Sequence, residues 1–262
     1  MKSQLKRLAS VIRYRSKPPR NTQFPVVGHE HVGIGRSANG SVGETFLSHK
    51  GRPTSKWSHY LGVYELHLSR IRQTHPGGHV KLIEIGVAEG GSLDVWRSYF
   101  GPTCKIVGID IDPKINGKVN EEITVITGSQ SDASVLDKAL SVLGGSVDVV
   151  IDDGSHYGRD QIVSLEYLWP YLSEGGVYIV EDLHTSYWSD FAGGPRRRGT
   201  FIEYTKRMID DMHLWYHRRP QTNLATEAMR SVTSITCHDS MVVLTKGFRT
   251  SPTRMDFGHR GS

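Results

Sequence analysis

Two stretches of this 262-residue chain end apolar runs in side chains that can do chemistry. Residues 147–156 read VDVVIDDGSH and residues 176–184 read GVYIVEDLH. Each is a short, β-branched segment, continuously apolar as in a parallel strand covered on both faces. The first closes on Asp152, Asp153 and His156, the second on Glu181, Asp182 and His184. If both are strands of one open α/β sheet, these groups meet at its carboxyl edge, where such sheets place ligands. Gathered carboxylates repel one another and are costly to bury, so a divalent cation is the simplest reason to collect them. An imidazole beside them titrates near neutrality and can accept a proton.

A third stretch, residues 84–92, reads EIGVAEGGS. Gly86 and Gly90 let a ligand approach the backbone of a strand-to-helix turn, with Ser92 as the expected N-cap. The spacing departs from the GxGxxG that cradles a diphosphate, and Glu84 inside the turn would repel one. A cofactor with no phosphate but with an amino-acid moiety suits it better, namely S-adenosylmethionine. Asp110 follows the next apolar run, 26 residues after Glu84, where an acid can take both ribose hydroxyls. Gln130 or Asp132, after the third run, would flank the adenine. Asp152 would lie near the methionine end or on a backbone amide. Facing the acceptor, the candidates are Trp57, His59, Tyr60, His184 and Trp188. Arg196, Arg197 and Arg198 read as a solvated lid, with an acidic group on the acceptor as the alternative.

The elements that must position these groups form a regular alternation. Strands are expected over 80–85, 105–109, 123–127, 147–152 and 176–180, with helices over 92–99, 131–143, 158–172 and 201–218. Trp57, Tyr60, Leu61, Tyr64, Leu68 and Ile71 recur at helical spacing from residue 54, with Lys56 and His59 on the shoulders of that helix. Residues 231–236 and 241–246, joined through His238 and Asp239, read as an antiparallel hairpin. Strand–helix repetition argues for a doubly wound parallel sheet with right-handed crossovers, closed by that hairpin. The expected organisation is a basic tail and irregular arm over 1–53, a cofactor-binding domain over 54–247 and a polar tail over 248–262. Residues 28–43, rich in glycine, read as irregular loop.

Charge narrows the partners. The net charge is +5, but residues 1–20 alone carry seven Lys and Arg and no acid, leaving the remainder at −2. Basicity confined to a tail argues against nucleic acid as substrate. Leu5, Leu8, Ala9 and Ile12 give that tail a weak apolar face, which suits a partner-packed arm better than a peripheral membrane contact. Arms of this kind often pack across subunits, so a homo-oligomer is expected. Cys104 and Cys237 lie in no metal-ligand or redox spacing and read as thiols of a reducing compartment. With no continuous apolar core of a signal peptide and no run near the roughly 20 residues of a membrane span, a cytoplasmic location is expected.

Taken together, EIGVAEGGS, GIDIDP, GSQSD, VDVVIDDGSH and GGVYIVEDLHTSYW resemble the class I methyltransferases that O-methylate sugars on macrolide antibiotics, over residues 57–188. The resemblance implies a Rossmann-like sheet of seven strands with the last one antiparallel, S-adenosylmethionine as donor, and Mg²⁺-dependent methylation of a sugar hydroxyl. By position it implies Asp153, Glu181 and Asp182 as metal ligands and His156 as general base. Glu84, Asp110 and Gln130 fall on its cofactor positions. A sugar hydroxyl is a poor nucleophile at neutral pH. A cation chelating two vicinal hydroxyls would lower the pKa of the reacting one, and His156 would take its proton. The acceptor itself does not carry over and would be a glycoside, glycolipid or polysaccharide. A catechol-type metal-dependent O-methyltransferase is the nearest rival, and a non-catalytic protein on the same fold is a more distant one.

Overall fold

The computed structural model describes residues 41–117, 123–216 and 231–258, all within the second of two units, residues 34–262. The basic tail, most of the glycine-rich stretch and the last two residues of the helix expected over 201–218 lie outside the described residues, and that helix ends earlier than expected, at Met212. The last residues of the glycine-rich stretch are not irregular. They start a helix, α1 (Val42–Ser48), closed at its N-terminus by a reciprocal Ser41–Glu44 capping box. The Val42 amide donates to Glu65 at 2.7 Å on the next helix, α2 (Tyr60–Thr74), so this end of the arm docks on the domain.

From there β1 (Lys81–Ile85), α3 (Gly91–Phe100), β2 (Lys105–Asp110), β3 (Thr124–Thr127), α4 (Ala133–Leu143), β4 (Val147–Asp152), α5 (Gly158–Leu168) and β5 (Leu172–Val180) alternate as expected. After α6 (Phe201–Met212) come β6 (Val232–His238) and β7 (Met241–Lys246). The sheet runs β3-β2-β1-β4-β5-β7-β6, with β7 alone antiparallel to its neighbours. Residues 248–258 form no helix or strand and, apart from the half-buried Arg249, are exposed. Among the described residues no helix is long and apolar enough to cross a membrane.

Why the central strands are continuously apolar follows from where their side chains go. Ile83, Ile85, Val150, Tyr178 and Val180 pack into one core with α4, α5 and α6. Leu82, Val149, Ile151, Val177 and Ile179 pack into another with α1, α2 and α3. Each fully buried Leu, Ile or Val contributes about 1.5–3 kcal/mol, so both layers hold the sheet firmly. Register aligns the strand tips: Ile85 pairs with Asp152, and Asp152 with Val180. The ladder continues one residue further, through Asp153 N–H to the Ile85 carbonyl and Glu181 N–H to the Asp152 carbonyl, both 2.9 Å. Strict alternation then sends Asp152 to the α5 face, while Glu84, Asp153 and Glu181 share the α2 face.

Candidate active site

On the α2 face, the loop that precedes that helix supplies the surprise. The helix begins at Tyr60, not at residue 54, so Lys56 and Trp57 arrive on an extended segment rather than on helical shoulders. Gly91 has no room for a Cβ because the Arg52 and Pro53 carbonyls lie against it, and Arg52 pairs with Asp94 at 2.5 Å. Pinned this way, the segment drives the Lys56 ammonium inward. It sits 2.6 Å from Asp153, 2.8 Å from Glu181 and 4.0 Å from Glu84, with 5% of its side chain exposed. Those carboxylates hold the lysine protonated, well above its usual range, against the opposing effect of burial. Burial pushes Glu181 up as well, with Lys56 opposing. Its second oxygen accepts the Tyr64 hydroxyl at 2.5 Å.

Asp182 is held from the same side. Tyr60 donates to it at 2.8 Å and Trp57 at 3.1 Å. These two side chains therefore orient a carboxylate; Tyr60 is fully buried, while Trp57 is only partly so. His59 points away, its ring 3.2 Å from the Asp239 carbonyl. His184 packs between Trp57 and Trp188, its Nδ1 2.6 Å from the Ser240 hydroxyl, and desolvation lowers its pKa. His184 and Trp188 thus remain beside the mouth.

Asp153, His156 and Asp182 come together: one donor atom from each lies within 4.8 Å of the others. His156 Nε2 is 3.9 Å from Asp182. Both His156 and Asp182 adopt left-handed backbone conformations (φ 59° and 53°), which non-glycine residues take at an energetic cost and which cluster at functional sites. The buried His156 Nδ1 has no hydrogen-bond partner. Two carboxylates and an imidazole with one ring nitrogen orphaned, in one half-buried mouth, suit a hard divalent cation with a base beside it. Of the three expected ligands, Asp153 and Asp182 are in this group. Glu181 stands behind it, engaged by Lys56 and Tyr64.

The donor end is also legible in the geometry. A methyl group on Gly86 would collide with the Asp153 carbonyl, so this turn and the β4 tip need glycine to meet. Gly90, at φ 81°, precedes α3 as its N-cap. Ser92 is the second residue of the helix instead of its cap, and its hydroxyl donates to Glu84 at 2.8 Å. The other Glu84 oxygen is buried with no hydrogen-bond donor, 4.0 Å from the Lys56 ammonium, and desolvation pushes the carboxyl up to about 7. An orphaned acceptor in a glycine turn fits the ammonium of an amino-acid moiety. Asp110 accepts the Val87, Ala88 and Asp112 amides, which leaves one acceptor position on Oδ1.

Three expected cofactor residues have other employment. Gln130 donates to Asp152 and accepts the Ser155 amide, so its amide is closed within the protein. Asp132 caps α4 through the Ser134 amide and is exposed. Asp152 is fully buried, accepting from Gln130 and Ser164, with Gly154 N–H at 3.4 Å. Of its two expected placements only the backbone amide is met, because strand alternation turns it to the α5 side. Lys56 and Tyr64 were the residues the sequence hid: one read as a helix shoulder, the other as core.

A seven-stranded sheet with a reversed β7, a glycine turn after β1 and acids at the β4 and β5 tips defines the class I methyltransferase fold. Residues 83–183 match the family model described as "Methyltransferase domain", and the chain carries that domain. It is 32% identical over 221 residues to the 8-demethyl-8-(2-methoxy-alpha-L-rhamnosyl)-tetracenomycin-C 3'-O-methyltransferase of Streptomyces olivaceus, covering 80% of this chain and 55% of that protein. To the mycinamicin VI 2''-O-methyltransferase of Micromonospora griseorubida it is 36% identical over 162 residues, covering 58% and 40%. A solved structure of MycE methyltransferase from the mycinamycin biosynthetic pathway, in complex with Mg and SAH, superposes with a TM-score of 0.68. The two are 28% identical, with 81% of this chain and 55% of that one covered. The chain thus spans about half the length of the curated relatives it matches.

Proposed function

We propose that this protein is an S-adenosylmethionine-dependent, Mg²⁺-assisted O-methyltransferase acting on a sugar hydroxyl of a glycoside, glycolipid or polysaccharide. The observation that carries this is the meeting of Asp153, His156 and Asp182 beside a glycine turn in which one oxygen of the buried Glu84 has no hydrogen-bond donor. Supporting it, the relatives named above methylate glycosyl hydroxyls and the MycE structure holds Mg and SAH. When bound, the cation stabilises charge developing on the acceptor oxygen, and the donor supplies an electrophilic methyl group.

The chain's own residues do the rest. Glu84, Gly86 and Gly90 receive the amino-acid end of the donor, and Asp110 its ribose. Asp153 and Asp182 hold the cation, the latter fixed by Tyr60 and Trp57, while Lys56 balances the inner carboxylates. His156 takes the acceptor proton at a ring nitrogen. Its backbone is fixed where the Thr185 hydroxyl donates to its carbonyl at 3.2 Å. Held geometry of this kind can supply several kcal/mol by orientation alone.

The test is methyl transfer from labelled S-adenosylmethionine to a panel of glycosides and catechols, read by mass spectrometry with and without EDTA. Product on glycosides, lost with EDTA and restored by Mg²⁺, is expected. Transfer that EDTA leaves untouched would remove the cation from the mechanism, and product on catechols alone would shift the acceptor class.

A further inference from the structure

Beside the mouth lies a cleft of about 200 Å³ that none of the roles above uses, and Tyr157, Arg159, Ser186, Phe191, Arg197 and Arg198 are among the residues that line it. It adjoins the reacting centre through Phe191. The Phe191 ring packs against His156 (centroids 6.1 Å apart) and against Tyr157 (5.4 Å).

The backbone of the loop that brings the arginines is clamped, while Arg196, Arg197 and Arg198 themselves are exposed, as expected of a solvated segment. Gly193 lies against the backbone of Thr185 and Ser186 so closely that a Cβ would collide, and Gly194 N–H donates to the Ser186 carbonyl at 2.9 Å. At its other end the Gly199 carbonyl and Thr200 backbone press on Gly158, again with no room for a Cβ. One clamp is on the segment after Asp182 and the other on the helix after His156. The backbone that carries the arginines is therefore fixed relative to both.

Their charge is unanswered. Among the described residues Arg159 and Arg198 have no ion-pair partner, and Arg197 donates to the Gly193 carbonyl at 3.3 Å. The nearest acid in sequence is turned away: Asp160 accepts the Ser131 and Ser155 hydroxyls at 2.6 and 2.9 Å. Like charges gathered without a counter-charge repel, and a guanidinium offers a planar fork matched to carboxylate or phosphate. Tyr157 and Phe191 add an aromatic wall, in keeping with pockets that pair apolar walls with a few polar anchors.

We propose that this cleft is an acceptor subsite selecting a glycoside that carries an anionic group, a carboxylate or a phosphate, within reach of the methylated ring. The proposal rests on the reading of the Asp153–His156–Asp182 mouth as the methyl-transfer centre.

The test compares methyl glucoside, methyl glucuronide and methyl glucoside 6-phosphate, three probes differing only at C6. Binding to the full chain is measured by calorimetry with SAH and Mg²⁺ present. At least one anionic probe should bind about tenfold tighter than the neutral one, as one charge-assisted bidentate contact provides, and the advantage should shrink as salt rises. Which of the two anions wins separates a uronic acid from a sugar phosphate. Arg159→Ala combined with Arg198→Ala should erase that preference while neutral-probe and SAH binding persist, and Arg198→Glu should invert it. Equal binding of all three probes, no binding of the anionic ones, or a preference that survives loss of both arginines overturns the proposal. Calorimetry with SAH alone reports separately on the donor site. Its failure would sink the methyltransferase reading and is distinct from any outcome among the glycosides.

Discussion

Asp152 and Asp153 are neighbours in the chain and opposites in the fold. On the α5 side, Asp152 belongs to a closed polar network: Gln130, Ser164 and, at 3.4 Å, Tyr178 surround it, all buried. On the α2 side, Asp153 belongs to an open one, where Lys56, Glu181, Asp182 and His156 gather with two buried atoms left orphaned. A fully satisfied buried network fixes a structure, whereas an incomplete one stores unmet bonding capacity for a ligand. The same strand tip thus serves stability on one face and chemistry on the other, separated by one residue of alternation.

Substitutions on the two sides should fail differently. The largest effect belongs to the open side. Asp153→Asn or His156→Ala should lower turnover by about 10²–10⁴, the range for losing a positioned acid–base or charge-stabilising group. SAH binding by calorimetry should barely move; Tm should hold in His156→Ala, whereas Asp153→Asn gives up one of the Lys56 ion pairs and should melt lower. A variant at either position that methylates at the normal rate would show that the gathered groups are not the centre.

Next in size is Lys56→Met. Removing one partner of a buried ion pair costs about 3–5 kcal/mol, and here it exposes Asp153 and Glu181 to each other. Thermal melts should show the loss and should show Mg²⁺ restoring more stability to this variant than to the parent. A Tm unchanged by Lys56→Met would mean that the ammonium is incidental to the site.

Glu84 makes a pH-dependent contrast. Its ordinary value is 4.5 and the fold raises it to about 7. Between those values the folded chain keeps a proton that the unfolded chain has released. Its contribution to stability is therefore fully present below pH 4.5 and lost as the pH rises through about 7, by roughly 3 kcal/mol at most. Urea titrations of parent and Glu84→Gln across this window should diverge in that direction, and saturating S-adenosylmethionine, whose ammonium compensates the carboxylate, should narrow the difference. A flat difference would show that Glu84 is solvated and is no part of a dry donor pocket. On the closed side, Asp152→Ala should cost about 1–3 kcal/mol for the donors it orphans, with any methyl transfer falling only as far as the fold does.

How much of this was legible beforehand follows from which residues speak in sequence. The strand tips did: β-branched runs ending in acids fix both element type and the edge where ligands gather, so the sheet, its reversed last strand and the Asp153–His156–Asp182 group were readable. Alternation was equally present in the sequence, yet the direction of Asp152 depended on knowing which face α5 covers. Lys56 was not readable, because its position comes from backbone carbonyls packed on Gly91 and a salt bridge to Asp94, contacts about 40 residues away in the chain. The helical spacing of Trp57 and Tyr60 also concealed a helix that starts only at Tyr60. Two of the cleft arginines, Arg197 and Arg198, were visible within a basic triplet, but Arg159 was not, and the placement of their loop depends on two glycine contacts that no local pattern announces.

The smallest expected effect sharpens the comparison furthest from the mouth. Asp132 was expected to flank the adenine and instead caps α4, its carboxylate accepting the Ser134 amide at 2.8 Å. That hydrogen bond lowers its pKa, so what it contributes is present above the ordinary value and lost as the pH falls through the lowered one. Asp132→Ala should therefore lower Tm slightly at neutral pH and not at all in strong acid, while Asp132→Asn, also a good N-cap, keeps most of the parent's stability. Neither should change SAH affinity, because the exposed carboxylate faces a helix end. An SAH affinity that drops in both variants at unchanged Tm would return Asp132 to the donor site and make the capping bond secondary.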